Sequence, residues 1–459
     1  MTRTLIVLLA LVAIACGSSN TDLQRASAAA PTSTVVETTS TVSDTTTVVP
    51  STTPATSTTQ PALDRPPTKT GATVLVESEF AQIDGKRVGL IAHQSSVVDG
   101  KHLGDLLNAA PNVELVAMFG PEHGVRGSAD AGEHVKDAVD ATTGVPVFSL
   151  FGPTRQPTPE MLDGVDVLVY DLQDVGTRYY TYISTMGLAM QAAAAANIEF
   201  LVLDRPNPLG DLIDGGLLDI DRTSFVGQYP VSDTYGLTAF ELARLIQAEA
   251  LLPGLESLDL DGVQLTGWDS TMRWEDTGLE WIPPSPAITT PDTALLYPST
   301  IYFEATNLSY GRGTDTPFEI IGAPWLDADA LRAELESRDL PGVEFVATTI
   351  APAMLPGMSV APAYLGETIP AVRLMVTNAA HIRPATAGVH LLDAVFAQAR
   401  DAGVDPLDRP EWLDQLSGSD LLRRSLAGNE FTVAEVLNTH ETERVIIESM
   451  LAQMRLYSD

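Results

Sequence analysis

The sequence predicts an α/β fold: a Rossmann-like parallel-sheet domain followed by a second, smaller α/β or α+β C-terminal domain. Two features carry that expectation. Short β-branched runs, apolar along their whole length, alternate with helix-patterned stretches, as in a parallel sheet covered on both faces. Residues 72–459 are also too many for one ordinary core, which argues for two domains.

Taken in order, Val88 to Ile91 reads as the first strand, a helix follows around His102 to Ala109, and Val113 to Met118 is the next strand. Val145 to Leu150, Val165 to Tyr170 and Phe200 to Leu203 continue the sheet, with an alanine-rich helix from about Thr185 to Ala196 before the last of them. From about Pro324 the pattern changes. A helix from Asp327 to Ser337, strands Val343 to Thr348 and Val372 to Val376, and helices around Ala387 to Arg400 and Val433 to Leu456 make up the smaller domain.

The N-terminal segment reads as an export signal. Arg3 precedes an apolar run from Leu5 to Ala15, and Cys16 follows with Gly17-Ser18-Ser19 after it. That run is too short for a permanent membrane span. Cys16, the sole cysteine, stands where lipoprotein processing would expose and acylate it, so residues 1–16 are expected to be a lipoprotein-type signal peptide; plain secretion is the alternative. Residues 17–71 are rich in Ser, Thr and Pro and have few large apolar side chains, so they are expected to form a disordered tether between the anchor and the folded region. The Rossmann-like domain is expected over 72–323 and the smaller domain over 324–459.

Composition and motifs exclude several functions. A net charge of −34 argues against nucleic acid as a partner, because a phosphate backbone needs a basic footprint. No G-x-G-x-x-G follows the early strands, and there is no Walker A lysine loop and no G-x-S-x-G elbow, so neither a nucleotide cofactor nor any other cofactor is expected. The seven histidines show no metal-ligand spacing; a metal hydrolase built on His123 and His134 is a minor alternative, and no metal is expected.

The polar signatures cluster after predicted strands, at the sheet edge where open parallel sheets bind ligands. They are Gly120-Pro121-Glu122-His123-Gly124, Phe151-Gly152-Pro153-Thr154-Arg155, Asp171 through Tyr182, and Asp204-Arg205-Pro206-Asn207. Only 12 Lys and Arg residues lie between Val74 and Ile320, yet Arg126, Arg155, Arg178, Arg205 and Arg312 all fall in or beside such loops. Concentrated cations in an acidic protein suit recognition of a carboxylate; pairing of each arginine with a nearby acid is the alternative. Glu122 is placed to protonate a leaving oxygen, and Asp171, Asp174 and Glu304 are candidates for a second charged group, the competing roles being loop caps for the two aspartates and a salt bridge to Arg312 for Glu304. Tyr179, Tyr180 and Tyr182 either meet a sugar or pack under the next helix.

These motifs together with Gly311-Arg312-Gly313-Thr314 and Pro317-Phe318 resemble the exo-β-N-acetylmuramidase family, formerly a family of unknown function, from about Val74 to Tyr457. The resemblance implies release of terminal β-1,4-linked N-acetylmuramic acid from peptidoglycan-derived muramyl saccharides. It places the family's proposed catalytic glutamate on Glu122, and puts Arg126, Arg178, Tyr182, Asn207, Asn307 and Arg312 at matching positions. The expected site is therefore Glu122, Asp174 and Tyr182 for catalysis, with His123, Arg126, Arg178, Arg205, Asn207, Glu304, Asn307 and Arg312 for the substrate. The chain departs from the family pattern at His93-Gln94-Ser95-Ser96, Tyr235-Gly236, Pro284-Ser285-Pro286-Ala287 and Ser309-Tyr310-Gly311-Arg312. A peptidoglycan-fragment-binding lipoprotein without turnover is the competing class, and an amidase or esterase is disfavoured because no activated nucleophile is visible.

Overall fold

The strands expected around the first motifs come together as one seven-stranded sheet in the computed structural model, which describes residues 66–127, 137–428 and 430–457. Its strands are β1 (Arg87–Ala92), β2 (Glu114–Gly120), β3 (Ala138–Val139), β4 (Pro146–Ser149), β5 (Val167–Asp171), β6 (Glu199–Leu203) and β7 (Leu260–Val263). They lie in the order β7-β6-β5-β1-β2-β4-β3, and every pairing is parallel except that of β3 with β4. The chain steps outward from β1 through β2 to β4, then crosses back to β5 on the other side of β1. That reversal is the switch point of a doubly wound sheet. Central strand β5 is buried along its whole length, which accounts for its unbroken apolar run up to Asp171.

Helices cover both faces. They are α1 (Gly71–Glu77), α2 (Leu103–Ala109), α3 (Thr181–Ala196) and α4 (Ala239–Ala248). Alanine dominates the second half of α3 and lets the helix pack closely against the sheet, and Asn197 ends it in a left-handed conformation. A reciprocal Thr238–Glu241 capping box fixes the start of α4.

Helix α5 (Pro291–Thr300), opened by Thr290 and Pro291, leads into the C-terminal part. Here β8 (Ile320–Gly322), β9 (Val343–Ile350) and β10 (Ile369–Val376) form an antiparallel sheet in the order β8-β10-β9, flanked by α6 (Ala328–Ser337) and α7 (Pro384–Ala402). The smaller domain is thus of the α+β kind, and its sheet begins at Ile320, just ahead of residue 324. Helices α8 (Pro410–Ser417), α9 (Leu421–Leu426) and α10 (Val433–Ala452) complete the chain. One hydrophobic cluster runs without a break from Ile91 and Tyr170 through Tyr302 and Val372 to Leu451, so the two sheets share a core. Among the described residues no helix is long and apolar enough to cross a membrane. The leader, Cys16 and most of the tether lie outside the described residues.

Candidate active site

The loop after β2 turns sharply at once. Gly124 N–H donates to Pro121 O over 2.9 Å, and His123 takes a φ of 72° at the third position of that turn. A left-handed φ at a residue with a β-carbon costs on the order of 1 kcal/mol, and such strain concentrates at functional sites. The turn leaves Glu122 partly exposed while His123 is buried at 3 %. Thr181 Oγ donates to Glu122 Oε2 over 3.1 Å, and the Tyr182 hydroxyl lies 3.3 Å from Glu122 O and donates to Pro284 O over 2.8 Å. The carboxyl is therefore tied to the first turn of α3. The Tyr182 ring stacks on His93 from the end of β1 at 5.1 Å, and Gln94 Nε2 donates to Pro283 O and Pro284 O over 2.9 and 3.0 Å.

Glu122 borders two connected spaces. A recess of about 60 Å³ is lined by Glu122, His123, Tyr179 to Tyr182, Ser285, Ile288, Tyr297, Arg312 and Phe318. A larger cavity of about 610 Å³ shares Glu122, Tyr179, Thr181, Tyr297 and Arg312 with it, and adds Phe151, Arg155, Ser224 to Val226, Glu304, Trp412 and Gln415. The larger space is within the ~300–1,000 Å³ of small-molecule sites, whereas the recess has room for a substituent but not for a sugar ring.

The electrostatics are those of two carboxyls and a cation in a partly dry cleft. Burial pushes the Glu304 carboxyl up from its ordinary range, with the nearby Arg312 guanidinium pulling the other way. Arg312 Nη2 lies 3.6 Å from Glu304 Oε1, Arg312 Nη1 donates to Met358 O over 3.2 Å, and the guanidinium stands 5.2 Å from the Phe318 ring centre. Its buried Nε has no hydrogen-bond partner among the described residues. Burial also holds the Tyr182 and Tyr297 hydroxyls protonated well beyond their usual range, so both stay neutral hydroxyls rather than phenolates.

Of the eleven side chains expected at the site, Glu122, His123, Tyr182, Glu304 and Arg312 line the cleft. The other six line neither space, and each has a structural partner. Arg205 is clamped on Asp171 at 2.6 and 3.0 Å, with the two side chains 7 % and 0 % exposed. Arg178, fully buried, pairs with Asp233 and donates to Leu416 O over 3.1 Å. Arg126 bridges Asp105 and Asp140 at 2.6 and 2.9 Å. Asn207 Nδ2 donates to Leu237 O over 3.0 Å while its Oδ1 accepts from Leu209 N, and Asn307 Nδ2 donates to Asp405 O over 3.0 Å. Asp174 accepts from the Tyr235 hydroxyl and from Gly176 N, and burial pushes its carboxyl up to about 6. The geometry thus gives the expectation of substrate contact no support for Arg126, Arg178, Arg205, Asn207 or Asn307, and makes Asp174 a buried brace.

The loops after β2, β4 and β5 do converge on the cleft. The one after β6 instead braces its neighbour: Gln173 Nε2 donates to Pro206 O over 2.9 Å, and Gly176, at φ 75°, packs against Asn207 so closely that a β-carbon would sit 2.2 Å from Asn207 Oδ1. The switch-point crevice between β1 and β5 is closed in the same way, by Gln173 N–H donating to His93 Nε2 over 2.8 Å and Ser96 Oγ donating to Asp171 O over 2.5 Å. Trp412 and Gln415 from α8, and Phe225, lie outside the loops that the sequence singles out, because none of them directly follows a strand of the predicted parallel sheet. Among the described residues no group of three or more His, Cys, Asp or Glu is placed to hold a metal ion; His134 lies outside them.

Family models for the N-terminal and C-terminal parts of the exo-β-N-acetylmuramidase NamZ match residues 88–292 and 295–457. The chain belongs to this family. The NamZ relatives include the peptidoglycan β-N-acetylmuramidase NamZ of Bacillus subtilis (strain 168), 38 % identical over 379 residues that cover 82 % of this chain and 88 % of the relative. Among solved structures, a DUF1343 family protein from Bacteroides fragilis superposes with a TM-score of 0.78 at 38 % identity, covering 85 % of this chain and 99 % of the other. A second DUF1343 protein from that organism gives 0.68 at 26 % identity, again covering 85 % and 99 %. Of the four departures read from the sequence, three touch residues of the cleft: His93 stacks on Tyr182, Ala287 is buried beside Ser285, and the Tyr310 ring lies 5.5 Å from Phe318, whereas Tyr235 holds the buried Asp174, which lines neither space.

Proposed function

We propose that this chain is an exo-acting β-N-acetylmuramidase, a glycoside hydrolase that releases terminal β-1,4-linked N-acetylmuramic acid from the non-reducing end of peptidoglycan fragments, with Glu122 as general acid. The observation that carries the reading is the position of Glu122 in a NamZ-family chain: it borders both the recess and the larger cavity, held by Thr181 and facing the same space as Glu304 and Arg312. Two carboxyl groups flanking the bond to be cut are the requirement of most glycosidases. Glu122 protonates the departing oxygen, Glu304 supplies the second carboxyl, and the tyrosine hydroxyls of the recess donate to the sugar. Arg312, which borders both spaces, takes the lactyl carboxylate that distinguishes muramic acid from glucosamine.

The same reading places the enzyme outside the cytoplasm, on a lipid anchor at Cys16; its support is the leader sequence, and loss of palmitate labelling in Cys16→Ser is its test. The activity is tested by incubating the purified protein with a chromogenic β-N-acetylmuramide and the matching glucosaminide. Turnover of the muramide with little or none of the glucosaminide is the expected result. Tight binding of muramyl fragments without turnover would make the chain a peptidoglycan-fragment-binding lipoprotein instead.

A further inference from the structure

Arg126, Arg178, Arg205 and Arg312 each have a carboxylate partner, but Arg155 has none among the described residues. It is exposed, and its guanidinium carbon stands 4.2 Å over the ring centre of Phe225. Both side chains are presented by closed turns. Ser224 and Gly227 exchange backbone hydrogen bonds of 2.8 and 3.1 Å beneath Phe225, while Thr154 Oγ donates to Gln156 O over 2.8 Å and Gln156 Nε2 ties that loop to Leu188 O on α3 over 3.1 Å. An arginine laid on an aromatic ring loses less freedom when it binds, and its outward edge keeps donors for a planar anion. In a protein of net charge −34, an arginine without an acidic partner at a cavity mouth is a feature that calls for a ligand.

Its place says which part of the ligand. Glu122 and Arg312 border both the recess and the larger cavity, whereas Arg155 and Phe225 border the larger cavity alone. A glycan whose terminal sugar puts a substituent into the recess and its ring beside Glu122 and Arg312, with the scissile bond at Glu122, extends its leaving portion into the remainder of the larger cavity, where Arg155 and Phe225 stand. We propose that Arg155, propped on Phe225, is a second carboxylate-recognition point that binds an anionic group on the leaving saccharide and makes the enzyme favour leaving groups that carry a carboxylate. The carboxylate comes from a lactyl group on a further muramic acid or from a stem peptide attached to it. This inference rests on the proposed activity for its orientation.

The test compares the wild type, Arg155→Gln and Arg155→Lys on four substrates: the chromogenic β-N-acetylmuramide, muramyl-glucosamine, the muramyl-glucosaminyl-muramic acid trisaccharide, and that trisaccharide with a peptide on its reducing-end sugar. In Arg155→Gln, kcat/KM is expected to fall about tenfold for substrates with an anionic leaving part and to stay within about twofold for the first two, the range of one solvent-accessible charged contact. Arg155→Lys restores part of the loss. A loss confined to the peptide-bearing substrate assigns the contact to the stem peptide, and a loss on both trisaccharides assigns it to the lactyl carboxylate. An equal effect on neutral and anionic leaving groups, or no effect on any, overturns the proposal. Calorimetric binding of the trisaccharides to Glu122→Gln, with and without Arg155→Gln, reads the same contact without turnover, so a protein that hydrolyses nothing still decides it while refuting the proposed activity separately.

Discussion

Replacing Arg205 by Met separates a brace from a substrate contact. The change removes two charge-assisted hydrogen bonds of 2.6 and 3.0 Å and leaves the Asp171 carboxylate, 0 % exposed at the end of β5, without its cation. Breaking a buried pair from one side costs about 3–5 kcal/mol, because the remaining charge stays desolvated. With an unfolding entropy of about 2.1 cal/mol/K per residue over roughly 380 described residues, 1 kcal/mol corresponds to about 1.2 °C, so the melting temperature is expected to fall by about 4–6 °C. Calorimetry at fixed pH and salt gives that shift, and KM for a muramyl substrate well below the transition should stay within about twofold. The double variant Arg205→Met/Asp171→Leu is expected to recover most of the loss, since it removes the stranded charge. An unchanged melting temperature with a large rise in KM would refute the reasoning and return Arg205 to the substrate.

Three further outcomes follow from the same geometry. Gly176→Ala puts a β-carbon 2.2 Å from Asn207 Oδ1 at a φ of 75°, so it should destabilise by more than about 2 kcal/mol in chemical denaturation and disturb the loop that carries the tyrosines. Asp204 is fully buried, accepts from Tyr457 and Thr238 at 2.6 and 2.7 Å, and is pushed by burial up to about 7. A folded pKa raised above the unfolded one means that the native state holds the proton more tightly. Stability is then complete below about pH 4 as far as this group is concerned and declines as pH rises through 7; Asp204→Asn should flatten that part of a melting-temperature profile taken from pH 5 to 8.5. Arg312→Gln should raise KM for muramides by about 10- to 100-fold and narrow the preference over glucosaminides; an unchanged preference would detach Arg312 from the lactyl group.

Much of the fold was legible because burial leaves a plain trace in sequence. Strands β1, β2, β5 and β6 are apolar on both faces, and the apolar runs in the sequence mark each of them to within a few residues. Edge strands left no such trace: β3 is two exposed residues, and β7, Leu-Asp-Gly-Val, is half-exposed and lacks an apolar run. The position of Glu122 was readable for a similar reason, since Gly-Pro directly after a buried strand can only be a turn at the sheet edge. The arginines were harder. Their loops have the punctuation of a ligand site, but Asp171 lies 34 residues from Arg205 and Asp233 lies 55 from Arg178, and only the folded chain shows that these acids already occupy the guanidinium groups. Trp412 leaves no trace of its role in the sequence, because α8 follows no strand of the parallel sheet and reaches the cavity solely through tertiary packing.

The most direct test of the account is the rate of muramic acid release from muramyl-β-1,4-glucosamine by Glu122→Gln, alongside its melting temperature. Gln keeps the size of the Glu122 side chain and an oxygen for the Thr181 hydroxyl, so the variant is expected to melt close to the wild type while kcat falls by about 10²–10⁴, the scale of a lost general acid. The loss should be smaller on a nitrophenyl muramide, whose leaving group needs little protonation. A fully folded Glu122→Gln that releases muramic acid from the disaccharide at the wild-type rate would contradict the central claim.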